Sequence, residues 1–334
     1  MQKAHLWNSD ENAVRCLLCS HYCRIHEGRR GVCQVRKNVD GVLYSLNYGK
    51  LIASHIDPIE KKPLFHFLPG SQSYSIAMTG CNLRCSWCQN WEISQLSNSN
   101  DPDRLPFVAP DTVVKAAAKS GCKSISYTYT EPTIFYEYAR DVSLLAREAG
   151  LRNVWVSNGY MTEEMLDEYL PLLDVINVDV KCFDGDVHRK YTGAKLHPIL
   201  DNCIRLKKAG VWLEVTTLLI PGINDSREQV EGLASFIANE LGTETPWHVS
   251  RYYPQPQFRE IGPTDPGVIE DALITGRKAG LQFVYGGNLR RDEDTHCPSC
   301  GELLIGRSSL WMTVNKIEDC VCPKCGAKIA GIWE

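Results

Sequence analysis

Thr79-Gly80-Cys81-Asn82-Leu83-Arg84-Cys85-Ser86-Trp87-Cys88 is the stretch around which this 334-residue chain is organised. Its three thiols follow the spacing C-x3-C-x2-C, with a glycine before them and an aromatic residue just ahead of the last. A cubane iron–sulfur cluster normally takes four thiolates. A compact loop offering three leaves one iron without a protein ligand, and an open coordination position is where a metal centre binds a reactant. The competing reading is a zinc knuckle whose fourth ligand lies elsewhere.

The chain around this loop alternates strands and helices. Short runs rich in β-branched and aromatic residues predict strands at Tyr74–Met78, Ser124–Tyr129, Asn153–Ser157, Val175–Val180, Trp212–Leu218, His248–Tyr252 and Gln282–Tyr285. Helices are predicted at Asp111–Ser120, Thr133–Ala149, Thr162–Tyr169, Asp201–Ala209, Asp225–Leu241 and Asp265–Ala279. Gly121, Gly150, Gly210 and Gly280 close four of these helices, at the position where a left-handed residue is favoured. Repeated strand–helix–glycine units imply parallel strands with right-handed crossovers. A full or partial β/α barrel fits, and a doubly wound open sheet is the alternative. In barrels the chemistry sits on loops after the C-terminal ends of strands. The cysteine loop follows the first predicted strand directly, which favours a catalytic reading.

Fifteen cysteines with no secretory signal point to a reducing, cytoplasmic compartment and to metal ligation rather than disulfides. Hydrophobic residues make up 43% and charged residues 23%, enough to build a core. The net charge of −4 gives no reason to expect a nucleic-acid surface, and no apolar run reaches membrane-spanning length. Cys122, Cys182 and Cys203 stand alone and read as small buried hydrophobes. The other twelve cysteines cluster, and this sets three regions: an N-terminal cysteine-rich extension (1–70), a core (71–289) and a C-terminal module (290–334). Cys297-x2-Cys300 and Cys322-x2-Cys325 are paired knuckles of the zinc-ribbon kind, with Cys320 a spare thiol. Cys16-x2-Cys19-x3-Cys23-x9-Cys33 matches neither the ferredoxin run nor the finger pattern and is open between zinc and an auxiliary iron–sulfur cluster, with a slight lean to a structural metal. His21 and His26 lie within it as alternative ligands.

Several polar residues sit where strands end. Glu131 follows the second predicted strand and reads equally as a ligand-binding carboxylate or a helix cap. Ser157-Asn158-Gly159 follows the third, where a plain turn is an equal reading. Asp179 and Lys181 close the fourth, where a buried parallel strand seldom carries charge, so a pair at the barrel mouth is favoured. Glu214 and Thr216 share a face of the fifth by period two. His248 in the sixth reads equally as a site residue or a structural histidine.

On Cys81, Cys85, Cys88 and Trp87, the core from Tyr74 to Gly287 resembles radical S-adenosylmethionine (SAM) enzymes of the pyruvate formate-lyase-activating type. The whole chain is similar to the radical SAM member of the AmmeMemoRadiSam system, on Asp57-Pro58-Ile59-Glu60-Lys61-Lys62-Pro63, Cys88-Gln89-Asn90-Trp91-Glu92-Ile93-Ser94, the N-terminal cysteine group and Cys297-Pro298-Ser299-Cys300-Gly301. The resemblance implies a partial (β/α)6-type radical SAM barrel with small metal-binding extensions. It implies a [4Fe–4S] cluster on Cys81, Cys85 and Cys88, with SAM on the fourth iron. Reductive cleavage would yield methionine and a 5′-deoxyadenosyl radical that takes hydrogen from an unidentified substrate. It also implies Trp87 against adenine, Glu131 near the SAM amine, Ser157 and Asn158 near ribose or carboxylate, and Asp179, Lys181, Glu214, Thr216 and His248 toward SAM or substrate. Tyr129-Thr130-Glu131 stands where activating enzymes carry Gly-Gly-Glu. An electron donor such as flavodoxin or ferredoxin, and the two partner proteins of the system, are the implied partners. A glycyl-radical activating enzyme, and a non-catalytic metal protein that binds a partner, are the alternatives.

Overall fold

The computed structural model describes residues 1–289 and 291–334. The boundary expected at residue 290 therefore falls on a residue outside the described ones. Strands β1 (Leu51–Pro58), β2 (Gln72–Met78), β3 (Ser124–Tyr127), β4 (Arg152–Ser157), β5 (Val175–Asp179), β6 (Trp212–Leu219), β7 (Trp247–Arg251) and β8 (Val284–Gly287) form one sheet in sequential order. From β2 to β8 every neighbouring pair is parallel. β1 lies antiparallel beside β2. Among the described residues the edges β1 and β8 do not pair, so the sheet is a partial barrel.

The register separates the two faces. Ile76, Tyr127, Trp155, Val178, Val215 and Val249 share one apolar core with the crossover helices, including Val142 of Tyr136–Glu148, Leu206 of His197–Lys208 and Leu273 of Pro266–Lys278. Every helix with a buried stripe contributes to that core, so the helices lie on one face and a doubly wound sheet is excluded. The other face lines the lumen: Ser73 and Ser75, Ser124 and Ser126, Val154, Asn177 and Asp179, Glu214 and Thr216, His248, and Tyr285 follow one another across the ladders.

Three elements differ from the sequence reading. Helix Gly185–Thr192 is absent from the predicted elements, although Asp184, whose side chain caps it, and Gly193 at φ 78° mark its two ends. Helix His197–Lys208 starts before Asp201 because Pro198 sits in its first turn, where a missing N–H costs nothing. Strand β1 falls inside the region assigned to the extension, yet it forms the edge of the core sheet.

The segment after β1 closes the N-terminal end of the barrel. Ile59, Leu64 and Phe67 pack on Val154 and Val175. The buried carboxylate of Glu214 accepts from the backbone N–H of Phe65 (3.0 Å) and His66 (2.8 Å) and from His248 Nε2 (2.6 Å). The C-terminal module docks on this floor. Leu68 N–H donates to the Ile332 carbonyl (2.7 Å), and His66 Nδ1 donates to the Ala330 carbonyl (2.7 Å).

The N-terminal extension comprises two small antiparallel sheets and is pinned by a buried ion pair. Arg36 donates from both terminal nitrogens to Glu137, with Nη1–Oε1 at 2.7 Å and both side chains 1% exposed. Removing one partner leaves the other charge buried and bare. Glu137→Ala is expected to lower unfolding free energy by roughly 3–5 kcal/mol, read from the shift of the denaturant midpoint, whereas Lys115→Ala, which removes an exposed pair, should leave the midpoint nearly unchanged.

Candidate active site

The cysteine loop leaves the C-terminal end of β2 and is held from several directions. Gly80 has φ 111°, and a Cβ there would lie 3.0 Å from the Cys33 carbonyl oxygen, so only glycine fits. Thr192 accepts from Arg84 N–H (2.8 Å) and Tyr191 from Ser86 N–H (3.1 Å). The three cysteines stay half-buried at this rim. Leu83 N–H points at Cys81 Sγ (3.4 Å), and the Asn158 amide nitrogen lies 3.9 Å from the same sulfur. Burial raises the Cys81 thiol and pushes Cys85 up to about 12, against the lowering charge of Lys181. A metal cation at the sulfurs inverts that preference and holds thiolates.

Glu131 sets the turn beside the loop. Its Oε1 accepts from Thr133 N–H (3.1 Å), Thr133 Oγ1 (2.6 Å) and Ser157 Oγ (2.8 Å), and its Oε2 accepts from Asn158 N–H (2.9 Å). It is thus a helix cap, as one reading held, and it also joins the ends of β3 and β4. Burial raises its pKa, and these donors oppose the rise. Asn158 Nδ2 then donates to Asn82 Oδ1 (2.8 Å), while the buried Asn82 Nδ2 has no partner among the described residues.

Tyr129 occupies the place of the first glycine in Gly-Gly-Glu and adopts the glycine conformation, φ 63°. A left-handed tyrosine costs about 1–2 kcal/mol, and its contacts hold it there. Its hydroxyl donates to Asp57, Asn90 Nδ2 donates to its carbonyl (2.7 Å), and Lys62 Nζ lies 4.6 Å from its ring centroid. Asp57 also binds Lys61 (2.8 Å) and the buried Lys62 (2.6 Å). The segments Asp57–Pro63 and Cys88–Ser94, far apart in sequence, therefore meet at one tyrosine. Reading by motif named them only as a resemblance; the signal for their meeting was the bulky residue at a glycine position.

The radical SAM superfamily model matches residues 75–237, the stretch that contains this loop and both turns. An uncharacterized protein of Methanocaldococcus jannaschii is 45% identical over 302 residues, 89% of either chain. The chain belongs to the radical SAM superfamily. It is also similar to a pyruvate formate-lyase-activating enzyme of Clostridium pasteurianum, at 23% identity over 49% of this chain and 69% of that one. A solved radical SAM methyltransferase from Sphaerobacter thermophilus shares the fold, with TM-score 0.52 and 17% identity over 71% of each chain. The superfamily implies an enzyme with a [4Fe–4S] cluster and SAM, and the donor set fits: three half-buried thiols, a backbone N–H on Cys81, and two side-chain amides beside it, one with an unused donor.

Other expected radical SAM site residues divide into two groups. Lys181 pairs with Asp179 at 2.8 Å; burial opposes its charge, but Asp179 and Cys85 raise its pKa overall, which places it beside the loop. Trp87 is buried with Cys182, Ile220, Ile223 and Tyr252 and lies 5.7 Å from the Tyr191 ring. Thr216 is on the lumen face, its buried hydroxyl without a partner among the described residues. Glu214 and His248 are not brought to the loop: they bind each other and the barrel floor. Cys122 and Cys203 lie in the main core, as expected.

The ribbon cysteines are the one group among the described residues in which three or more His, Cys, Asp or Glu ligand atoms close to within 4.8 Å. Cys297 and Cys325 sulfurs are 3.6 Å apart, and Cys300 and Cys322 are 3.7 Å apart. A tetrahedron with ~2.3 Å metal–sulfur bonds has edges of about 3.8 Å. The quartet thus suits one tetrahedral ion, at the opposite end of the barrel from the radical SAM loop.

Burial lowers Lys62 to about 8, with Asp57 partly restoring it. Because the folded value lies below the unfolded one near ~10.5, the cost is present at low pH and is relieved as pH rises from 8 toward 10.5. Asp57→Asn removes the counter-charge and deepens that cost. It is expected to destabilise by about 3–5 kcal/mol at pH 7 and by clearly less at pH 9.5, measured as paired denaturation curves; equal losses at both values would refute the role given to Lys62.

Proposed function

We propose that this chain is a radical SAM enzyme that acts on a small polar substrate in the barrel lumen, taking single electrons from a flavodoxin- or ferredoxin-type donor in the cytoplasm. The reading rests above all on the Cys81–Cys85–Cys88 rim set against the Glu131–Asn158 turn. When bound there, the [4Fe–4S] cluster and SAM supply reductive C–S cleavage and a 5′-deoxyadenosyl radical for hydrogen abstraction. This chain's residues do the positioning. Glu131 fixes Ser157 and Asn158, and Asn158 presents an N–H to Cys81. Hydrogen bonds to the sulfurs tune a cluster's potential. Lys181 offers a cation at the rim, suited to a carboxylate.

The lumen favours a polar substrate. Ser75 Oγ, Ser124 Oγ, Asn177 Oδ1 and Thr216 Oγ1 are buried and without partners among the described residues. All four lie on the lumen face by register. Unmet buried polar groups cost free energy that a polar ligand recovers. The floor beneath them is sealed by Phe67, Leu64 and Ile59, so the substrate enters from the cysteine rim. Affiliation with the AmmeMemoRadiSam system, and with its two partner proteins, is part of this reading and rests on the two segments that meet at Tyr129. The ribbon quartet is read as a structural zinc site, closed by four thiolates.

A second reading, a glycyl-radical activating enzyme, draws support from the similarity to the Clostridium pasteurianum protein. A candidate glycyl-radical protein incubated with reduced enzyme and SAM would then show a glycyl signal by electron paramagnetic resonance. Anaerobically reconstituted protein should convert SAM to 5′-deoxyadenosine, and Cys81→Ala, Cys85→Ala and Cys88→Ala should each abolish it. Asn158→Ala should retain the iron but slow the conversion about tenfold, the weight of one ~1.4 kcal/mol interaction. Absence of deoxyadenosine from reduced, iron-loaded protein would remove the enzyme reading. Zinc should be found at one per chain on the ribbon and be lost in Cys300→Ser.

A further inference from the structure

Cys16, Cys19, Cys23 and Cys33 take no part in the function so far described, yet they are built as a metal site. Cys16 ends the strand Ala13–Cys16, and its N–H donates to the Cys23 carbonyl (2.9 Å). Tyr22 N–H returns to the Cys19 carbonyl (3.0 Å). Cys33 arrives from the far side of the turn, so four thiols converge from two stretches. Each of Cys16, Cys19 and Cys33 is buried, and Cys23 is near enough to each to raise its pKa. All four are free thiols. The backbone N–H groups of Leu18, His21 and Val35 favour the thiolates of Cys16, Cys19 and Cys33. The same i to i+2 arrangement joins Leu83 N–H to Cys81. Arg36 lies beside Cys16 and Cys33 with a fully buried Nε–H that has no partner among the described residues.

Two observations choose the metal and its role. The first is spacing. The sulfurs of the ribbon quartet close as one tetrahedral ion requires, and the N-terminal sulfurs do not gather within the same limit. The Cys81, Cys85 and Cys88 sulfurs likewise stay outside that limit, and the corner irons of a cubane hold their thiolates farther apart than one ion does. The second is location. The Cys33 carbonyl packs on Gly80, His21 Nε2 donates to the Asn82 carbonyl (2.7 Å), and Arg84 donates to the Val32 carbonyl. Cys33 and two neighbours of the N-terminal thiols thus touch three neighbours of Cys81. A structural staple works anywhere on the surface; a redox centre has to be close to the centre it serves.

We propose that Cys16, Cys19, Cys23 and Cys33 hold a second iron–sulfur cluster that passes electrons to the Cys81–Cys85–Cys88 centre. A low-potential flavin or iron–sulfur protein gives one electron and is oxidised by one. The N-terminal cluster accepts it and hands it on, returning to its oxidised state. The electron is then consumed at the sulfonium C–S bond, so no net charge accumulates at the relay. The relay rests on the radical SAM reading; the cluster itself does not.

The test uses the full chain, reconstituted anaerobically with iron and sulfide. A variant with Cys81, Cys85 and Cys88 all changed to Ala is expected to keep about four irons, with a reduced-state paramagnetic signal that belongs to the N-terminal site. Wild type should hold twice that iron. A triple-alanine chain that carries no iron and one zinc beyond the ribbon ion overturns the proposal, whether or not wild type cleaves SAM. Cys16→Ser with Cys33→Ser should lose the second signal. With the catalytic signal intact, it should form deoxyadenosine at least tenfold more slowly from reduced flavodoxin, while a small reductant such as dithionite restores the rate. Equal rates from both reductants would overturn the relay. Should that double variant not fold, the iron count of the triple-alanine chain still decides the cluster.

Discussion

Three thiols held open at a barrel rim need a rigid frame, because nothing in an exposed loop keeps sulfurs at a fixed separation. Here the frame is the carboxylate of Glu131. It is fully buried, so its charge is tolerated only because four donors converge on it. Those donors come from the ends of β3 and β4, and the carboxylate therefore fixes how the two turns sit relative to each other. Asn158 is placed by this bond, and Asn158 places an amide at Cys81. The chain of contacts from a strand-end acid to a sulfur is short and contains no solvent-exposed link.

The barrel is polar inside, and its polar groups are only partly satisfied. Glu214 takes two backbone N–H groups and a histidine, while hydroxyl and amide atoms of Ser75, Asn177 and Thr216 are left over among the described residues. Folding alone does not favour such unmet groups; a polar occupant of the lumen would satisfy them. The ribbon quartet lies at the floor end, and the N-terminal cysteines and the Cys81 loop lie together at the rim end.

Much of this was legible in the sequence. The seven parallel strands and most helices followed from periodicity and from glycines after helix ends, now seen at positive φ. The radical SAM reading of the loop came from its cysteine spacing, Trp87 and the resemblance they carry. What stayed hidden was long-range. Glu214 and His248 share the lumen face with Asp179 and Thr216, and period two cannot say which side chains along a strand bond the floor. Lys62 and Asp57 lie on a segment that stood out only by resemblance, and only the fold carries them to Tyr129. The split of Glu131 between cap and ligand was undecidable because one carboxylate serves the cap and the neighbouring turn together.

Strand β1 has a practical side. It covers the outer edge of β2, the strand that launches the cysteine loop, and the segment after it supplies the barrel floor. A truncated fragment cut to the family-matched span, beginning near residue 75, would expose that edge to pairing with other copies. It would also empty the floor and strand Glu137 without its arginine. The smallest workable expression unit for this enzyme therefore begins well upstream of the segment by which its superfamily is recognised.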